Sequence, residues 1–298
     1  NILEMVASHP NRQYFIYKSI ILNSLYGVDI MEEAVEICKL RLFLKLAAQV
    51  DPDLNEPNFG IEPLPNIDFN IRTGNTLVGF ARYEDVERAV TRRLGHDTIM
   101  QRINTKAADL QQAFDAFRKR QTEGDCTVPP EHKQEIQKRL KALEDELNIF
   151  LAGEYKINVS KKNEFEKWLK THQPFHWFIE FYGIVHEKGG FDVIIGNPPY
   201  VEYSKVKNQY TIKGYKTESC GNLYAFVVER VEQLLNSKGF FSMIVPISLP
   251  STPRMLPVRN ILTKRFKYNW CSNFADRPGT LFTGVHQKLS IIISSKNE

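Results

Sequence analysis

A chain of 298 residues, 42% of them hydrophobic and 25% charged, is long enough to bury a large core and has the composition of a globular protein. It contains neither the roughly 18 consecutive apolar residues of a membrane span nor a secretory leader, so we expect a cytoplasmic protein without membrane contact. The four cysteines form no CxxC pair, which argues against disulfides and thiolate metal sites. Residues 181–298 carry 15 Lys and Arg against 8 Asp and Glu, a net charge of +7. This balance favours a polyanionic partner, although solvated surface charge alone gives the same count.

The first 50 residues predict a helix, a strand and a second helix. Residues 11–24 form the first helix, 25–30 the strand, and 31–44 a helix with apolar positions three and four apart and acids in its first turn. Asp29 falls at the carboxyl end of the strand, where a carboxylate can accept two hydrogen bonds from a ribose diol. An ordinary helix N-cap explains the same aspartate equally well.

The next segment predicts a loop and another strand. Residues 51–66 contain four prolines, and residues 69–72 have the character of a strand that ends in Thr73-Gly74-Asn75. Asn75 therefore also follows a strand, where its side chain could bond an adenine edge. Gly-Asn is also a common turn, so this signal is weak by itself.

Residues 83–150 have the periodicity of two amphipathic helices joined by a turn. Their apolar positions advance by three and four residues, at Ile99, Ile103, Ala107, Leu110, Phe114 and Phe117 and again at Ile136, Leu140, Leu143 and Leu147. Residues 101–150 carry nine basic and nine acidic side chains, which argues against a DNA-clamping arm. We interpret the hairpin as a structural or partner-docking insertion, anchored on the sheet by the aromatic residues of 155–182.

The most informative segment is Asn197-Pro198-Pro199-Tyr200, which follows an apolar, β-branched run at 189–196. That run predicts a buried strand of a parallel sheet, so the tetrapeptide lies at the sheet edge where open α/β folds bind ligands. The prolines fix φ near about −65° and point carbonyl groups outward from a stiff turn. Two fixed acceptors beside an aromatic face suit a planar amine such as the amino group of a base.

The remaining residues predict a loop followed by alternating helices and strands. Residues 201–221 interleave four lysines with three tyrosines, which fits a flexible loop that meets nucleic acid and equally fits a solvated loop. A helix capped by Asn222 follows, and another helix includes residues 260–264. Strands are predicted at residues 239–246, 268–274 and 288–294.

This order of elements resembles the catalytic domain of DNA adenine-N6 methyltransferases, above all those fused into type IIG restriction–modification enzymes. The likeness rests on residues 26–42, on Gly74-Asn75-Thr76-Leu77, on Asn197-Pro198-Pro199-Tyr200 and on residues 222–246, with a weaker late motif at 281–288. It implies a Rossmann-like, S-adenosylmethionine-dependent methyltransferase sheet of α/β class with a helical-hairpin insertion. The implied division is 1–82 and 181–298 for the methyltransferase and 83–180 for the insertion.

The resemblance also implies a cofactor site. Asp29 would bond the ribose hydroxyls of S-adenosylmethionine, and the backbone near Ile30 would lie beside the adenine. Asn75 would bond the adenine amine, where many members of the family have Asp. Asn197 would border the same site.

The implied reaction is site-specific methylation of adenine N6 in double-stranded DNA, as part of a restriction–modification system. Asn197 and the carbonyl of Pro198 would accept the two N6 hydrogens, and Tyr200 would stack on the flipped adenine. Phe282 and His286 would border the target base. No metal and no covalent nucleophile is needed.

One departure from the family pattern concerns the Gly-rich loop that meets the methionine part of the cofactor. No Gly-rich segment precedes Asp29, and residues 1–24 contain no glycine. We therefore expect that loop in a longer polypeptide, with a target-recognition domain and a possible nuclease, and we expect residues 1–298 alone to be inactive. The alternatives are a methyltransferase acting on protein glutamine or RNA, and a non-catalytic DNA-binding or scaffold remnant.

Overall fold

The protein has a mixed α/β architecture. The structure, a computed structural model, describes residues 2–91, 95–122, 128–277, 280–284 and 286–296. Two compact units are distinguished, one made of Asn1–Asn75 and Asn104–Leu143 and the other of Thr76–Ile103 and Glu144–Glu298. None of the helices in the described ranges is long and apolar enough to cross a membrane. The functional division into 1–82, 83–180 and 181–298 stays a prediction.

The first unit contains a pair of short parallel strands with helices before and between them. The elements are α1 (Ile2–Ser8), α2 (Arg12–Ser24), β1 (Gly27–Asp29), α3 (Glu32–Ala47) and β2 (Ile71–Thr73). In the parallel pair, Gly27 lies opposite Ile71 and Asp29 opposite Thr73. The buried core of this unit includes Tyr14, Ile21, Leu22, Val35, Leu46, Ile67 and Ile71. The predicted order of helix, strand, helix and strand is confirmed.

A buried amide fixes the end of α2 where the chain enters β1. The Asn70 side-chain Nδ2 lies 3.1 Å from the carbonyl oxygen of Ile21, 3.0 Å from that of Leu22 and 3.1 Å from that of Leu25. The last carbonyls of a helix have no partner within the helix, and a side-chain donor stabilises them. Asn70 therefore sets where α2 stops and where β1 begins.

Asp68 joins three segments of the first unit. Its carboxylate pairs with Lys39 of α3 at 2.7 Å and with Lys133. The neighbouring Phe69 ring packs edge-on against the rings of Phe114 and Phe117. Charged and aromatic contacts thus hold the segment before β2 against helices distant in sequence.

Both helices predicted by the apolar periodicity are present, and a shorter helix precedes them. These elements are α4 (Tyr83–Val90), α5 (His96–Arg120) and α6 (Pro130–Glu154). The periodic positions from Ile103 to Phe117 and from Ile136 to Leu147 are buried. An ion pair links Arg102 to Glu146. The interpretation of α5 and α6 as an inserted hairpin stays a prediction.

The aromatic cluster of residues 155–182 packs on the first strand of the second unit. It includes α7 (Lys162–His172) and α8 (Trp177–Glu180) and leads into β3 (Phe191–Gly196). The rings of Trp177 and Phe181 meet the ring of Phe191 edge-on, with centroids 6.0 and 5.7 Å apart. Two of these aromatics thus pack onto the sheet, and the prediction that the cluster anchors an insertion there stays a prediction.

The second unit is organised around a four-stranded mixed sheet. Its further elements are α9 (Tyr203–Val206), α10 (Leu223–Leu234), β4 (Leu235–Pro246), α11 (Ser248–Ser251), α12 (Leu256–Arg265), β5 (Tyr268–Phe274) and β6 (Leu289–Ser295). The strand order is β3-β4-β6-β5, with β3 parallel to β4 and the other pairs antiparallel. Alternate residues of β4 (Phe241, Met243 and Val245) face the core that α10 and α12 complete.

The prediction that 189–196 forms a buried strand is wrong for its side chains. Val193 is 60% exposed and Ile195 is 76% exposed, whereas Ile194 packs against the core. In the part of the chain that the structure describes, β3 pairs with β4 alone and lies at a sheet edge. Both faces of β3 are therefore apolar enough for burial, but only the face of Ile194 is covered, by the core of the second unit.

Candidate active site

The tetrapeptide leaves the carboxyl end of β3 and is tied to the neighbouring strand. Asn197 and Pro199 are exposed, Pro198 is buried, and Tyr200 is half-buried against the core. The Tyr200 hydroxyl lies 2.5 Å from Asn197 Oδ1 and 3.0 Å from the carbonyl oxygen of Ile244 in β4. Burial raises the pKa of Tyr200, so its hydroxyl keeps its proton at neutral pH. The loop is thus fastened at the predicted ligand-binding edge.

The late motif lies at the same end of the sheet. Because β6 runs antiparallel to β4, its first residue Leu289 pairs with Pro246 at the carboxyl end of β4. Phe282 and His286, which precede β6, are both exposed, with Phe282 at 37%. Val285 lies outside the described residues. The assignment of Phe282 and His286 to a target-base pocket stays a prediction.

The segment after the tetrapeptide is held by a buried carboxylate. Glu229 of α10 accepts hydrogen bonds from the backbone N–H groups of Lys216 (3.0 Å) and Thr217 (2.9 Å) and from the Thr217 hydroxyl (2.8 Å). Tyr203 and Tyr215 are buried, and their faces are not available to bases. Two of the three tyrosines of this segment therefore belong to the core, and contact of the segment with nucleic acid stays a prediction. The lysines do remain exposed: Lys205, Lys207, Lys213 and Lys216.

Asn222 occupies the N-cap position of α10, but its side chain makes no capping hydrogen bond. Its Nδ2 instead lies 3.3 Å from Glu202, whose carboxylate also pairs with Arg254 at 2.8 Å. The predicted N-cap position of Asn222 is thus confirmed, without a side-chain hydrogen bond to the helix. The Asn222 amide bonds Glu202 in place of the helix backbone, because the chain after the tetrapeptide folds back and places Glu202 beside Asn222.

The predicted cofactor residues of the first unit lie at the carboxyl ends of β1 and β2. Asp29 Oδ1 accepts the N–H of Met31 at 2.8 Å, and the Asp29 carbonyl accepts the N–H of Gly74 at 2.9 Å. Met31 occupies the N-cap position of α3, so the alternative that Asp29 is an ordinary N-cap is wrong. Asp29 and Ile30 are exposed, and Asn75 is buried. Their roles toward a cofactor stay predictions.

Sequence reasoning missed a pair of charged side chains on α10. Next to Glu229, Arg230 is 6% exposed, and its Nη2 donates to the carbonyls of Leu77 (3.3 Å) and Gly79 (3.2 Å). Arg230 also borders a cavity of about 390 Å³ within the second unit. The signal was available, because Glu-Arg interrupts an otherwise apolar stretch of the helix. Charged side chains at buried helix positions indicate that both groups have hydrogen-bond partners inside the protein.

Comparison with known proteins identifies the family. The model of the Eco57I restriction-modification methylase family matches residues 23–278. The chain belongs to this family. Membership confirms the resemblance to methyltransferases of restriction–modification systems that the motifs predicted.

A curated relative and a solved structure are also similar to the chain. The putative type II restriction enzyme and methyltransferase RM.MjaORFECS2P of Methanocaldococcus jannaschii is 32% identical over an alignment 327 positions long. The alignment covers 94% of this chain and 27% of the relative, so the chain spans about a quarter of that protein's length. A nuclease-deletion mutant of the Type ISP restriction-modification enzyme LlaGI, solved with a DNA substrate mimic, matches at 13% identity with a TM-score of 0.32. That match covers 97% of this chain and 34% of the LlaGI chain.

Proposed function

We propose that this chain is the methyltransferase part of a site-specific enzyme that transfers a methyl group from S-adenosylmethionine to N6 of adenine in DNA. The observation that carries the proposal is the tetrapeptide, which follows a strand parallel to its neighbour, with Asn197 exposed and Tyr200 fastened to β4. Membership of a methylase family supports the reaction class. The choice of adenine and of the cofactor rests on the chemistry of the tetrapeptide.

An exocyclic amine of adenine is a poor nucleophile because its lone pair is delocalised into the ring. Asn197 Oδ1 and the carbonyl of Pro198 would each accept a hydrogen bond from one N–H of this amine. These two hydrogen bonds favour a pyramidal nitrogen with a directed lone pair. S-adenosylmethionine, when bound, supplies an electrophilic methyl group. The protein's contribution is position and electrostatic stabilisation of developing charge, effects that lower barriers by several kcal/mol.

The residues of the first unit fit the adenosine part of this cofactor. Asp29 is exposed at the end of a parallel strand, and its hydrogen bond from Met31 holds the carboxylate in one orientation. Such a carboxylate suits a ribose diol. The exposed Ile30 would border the adenine ring, and Asn75 would bond the adenine amine.

Double-stranded DNA is the proposed partner. The exposed lysines between residues 205 and 216 and the net charge of +7 over residues 181–298 favour a polyanion. The target adenine must leave the duplex at a cost of a few kcal/mol, which stacking on Tyr200 would offset in part. Phe282 and His286 would border the flipped base. Target recognition and any cleavage would belong to further domains of a longer polypeptide.

The test is Asn197→Ala in the longest natural polypeptide that contains this chain. Losing one preorganised acceptor typically costs about 10²–10³ in rate, so we expect a loss of that size with unchanged folding. Transfer of tritiated methyl groups to DNA, followed by nucleoside analysis, measures the rate and identifies N6-methyladenine. Near-normal turnover by the Ala variant would contradict the assignment, as would methyl transfer to RNA or protein in place of DNA.

A further inference from the structure

The Tyr200 hydroxyl has two oxygens within hydrogen-bonding distance and one hydrogen to donate. Asn197 Oδ1 lies at 2.5 Å and the carbonyl oxygen of Ile244 at 3.0 Å. A phenol donates one hydrogen bond and accepts others. If the hydrogen points to Asn197, the Ile244 carbonyl receives nothing from Tyr200. If it points to Ile244, two oxygens face each other at 2.5 Å with no hydrogen between them, which is repulsive.

A half turn of the Asn197 amide satisfies both contacts once the 2.5 Å separation lengthens to the roughly 2.7–3.2 Å of an N–H···O bond. It exchanges Oδ1 and Nδ2, so that Nδ2 donates to the Tyr200 hydroxyl and the hydroxyl donates to the Ile244 carbonyl. Each of the two contacts of the Tyr200 hydroxyl then contains one hydrogen, and the orientation of an amide is assigned from its hydrogen-bond network. Among the residues that the structure describes, the Asn197 side chain has no hydrogen bond to any group other than Tyr200. Tyr200 is therefore the protein group that decides which way the amide faces.

We propose that the Tyr200 hydroxyl positions Asn197, holding the amide with Nδ2 toward Tyr200 and Oδ1 toward the target amine. This inference rests on the proposed function, because it concerns the acceptor for the adenine amine. Without the hydroxyl, the amide turns between two orientations. In the wrong one, its NH₂ group meets the hydrogens of the target amine. The ring of Tyr200 and its hydroxyl thus have separate roles, base stacking and orientation of Asn197.

The experiment separates these roles with Tyr200→Phe, which keeps the ring and removes the hydroxyl. Loss of one orienting hydrogen bond is expected to lower the methyl-transfer rate at saturating DNA about 3–10-fold. The KM for DNA and the fluorescence of 2-aminopurine at the target position should not change, because the stacking face is retained. Tyr224→Phe is the matched control, since it removes another tyrosine hydroxyl of the same core, bonded to Ser248 at 2.7 Å. Its transfer rate should equal that of the wild type.

A double-mutant cycle with Asn197→Asp tests the mechanism of positioning. A carboxylate offers an acceptor oxygen in either orientation, so Tyr200→Phe should cost less in a protein that already carries Asn197→Asp than in the wild type. A normal rate for Tyr200→Phe overturns the inference, as does a loss confined to KM or to base flipping. An equal loss in both backgrounds overturns it too; where Asn197→Asp has no measurable rate, the single substitution decides. Failure of the proposed function is distinct, because Asn197→Ala would then retain activity.

Discussion

At the scale of single residues, Tyr200 belongs both to the core and to the candidate site. It is half-buried, packs against the core of the second unit, and bonds across to β4 through its hydroxyl. These contacts fix the plane of its ring. A ring held in this way offers a stacking surface without losing further rotamer freedom.

Stacking predicts a graded response to substitution at Tyr200. Tyr200→Ala should weaken capture of the flipped base by roughly 1–3 kcal/mol, the usual value for removing an aromatic stacking partner. Tyr200→Trp should retain most of the capture, because it keeps an aromatic face. Fluorescence titration with 2-aminopurine at the target position measures both. Equal flipping by the Ala and Trp variants would contradict a stacking role.

The kinds of residue at this site could be predicted from the sequence, but their partners could not. Asparagine, two prolines and tyrosine after an apolar run indicated a stiff turn at the end of a strand, which the structure has; its ligand-binding role stays a prediction. The hydroxyl partner Ile244 lies 44 residues further along the chain and contributes only a backbone carbonyl, which any residue type has. Long-range contacts to backbone atoms leave no trace in local sequence.

At the scale of elements, the carboxylate of Asp68 connects α3 to α6 within the first unit. Burial by itself raises its pKa, but hydrogen bonds from Lys133 and Lys39 outweigh burial and lower the pKa from 3.8 to about 2. A depressed carboxyl pKa stabilises the folded state above the unfolded pKa, and the benefit disappears as pH falls through the folded value.

This linkage predicts how Asp68→Asn affects stability. The variant should be less stable than the wild type above about pH 4, and the difference should shrink as the pH approaches about 2. The free energy of unfolding in urea, measured from about pH 2 to about pH 6, gives the difference. Asp51→Asn, at an exposed position in the same unit, is the control. A difference that does not vary with pH would show that the ion pairs with Lys39 and Lys133 do not form.

The elements themselves were largely predictable, because periodicity is a local property. β5 occupies residues 268–274 as predicted, and α5 and α6 follow the apolar steps of three and four. β1 and β2 are shorter than predicted, with three residues each, because strand length depends on how many partners pair. The burial of β3 was predicted wrongly for a related reason. The apolar composition of a strand shows that both of its faces are compatible with burial. Which face is buried depends on the elements that pack against it.

At the scale of the whole molecule, the uncovered side of β3 leads us to expect association between copies of the chain. An edge strand with exposed apolar residues is a template for pairing with another chain. We expect the 298-residue chain to self-associate as its concentration rises, and Ile195→Lys to reduce this without unfolding the protein. Sedimentation velocity measures association, and circular dichroism verifies folding. Leu256→Lys, at another exposed apolar position, on α12, should leave association unchanged.

If Ile195→Lys associated as strongly as the wild type, the edge of β3 would not be the contact surface.

The division of the chain into two units could not be predicted from the sequence. Both α5 and α6 contribute residues to each unit, and the boundaries at Asn104 and Leu143 fall inside continuous helices. A helical sequence pattern does not change where the helix passes from one set of long-range contacts to another.

Because Glu229 fastens Lys216 and Thr217 to α10, the segment after the tetrapeptide is ordered before any partner arrives. Ordering a free loop on association would cost roughly 1–2 kcal/mol per residue in backbone entropy. A segment that is already ordered avoids that loss of entropy. A polyanion would then meet exposed lysines whose backbone is already in place. Capture would then depend on electrostatic steering, which speeds encounter and weakens as salt rises, more than on folding of the loop around its partner.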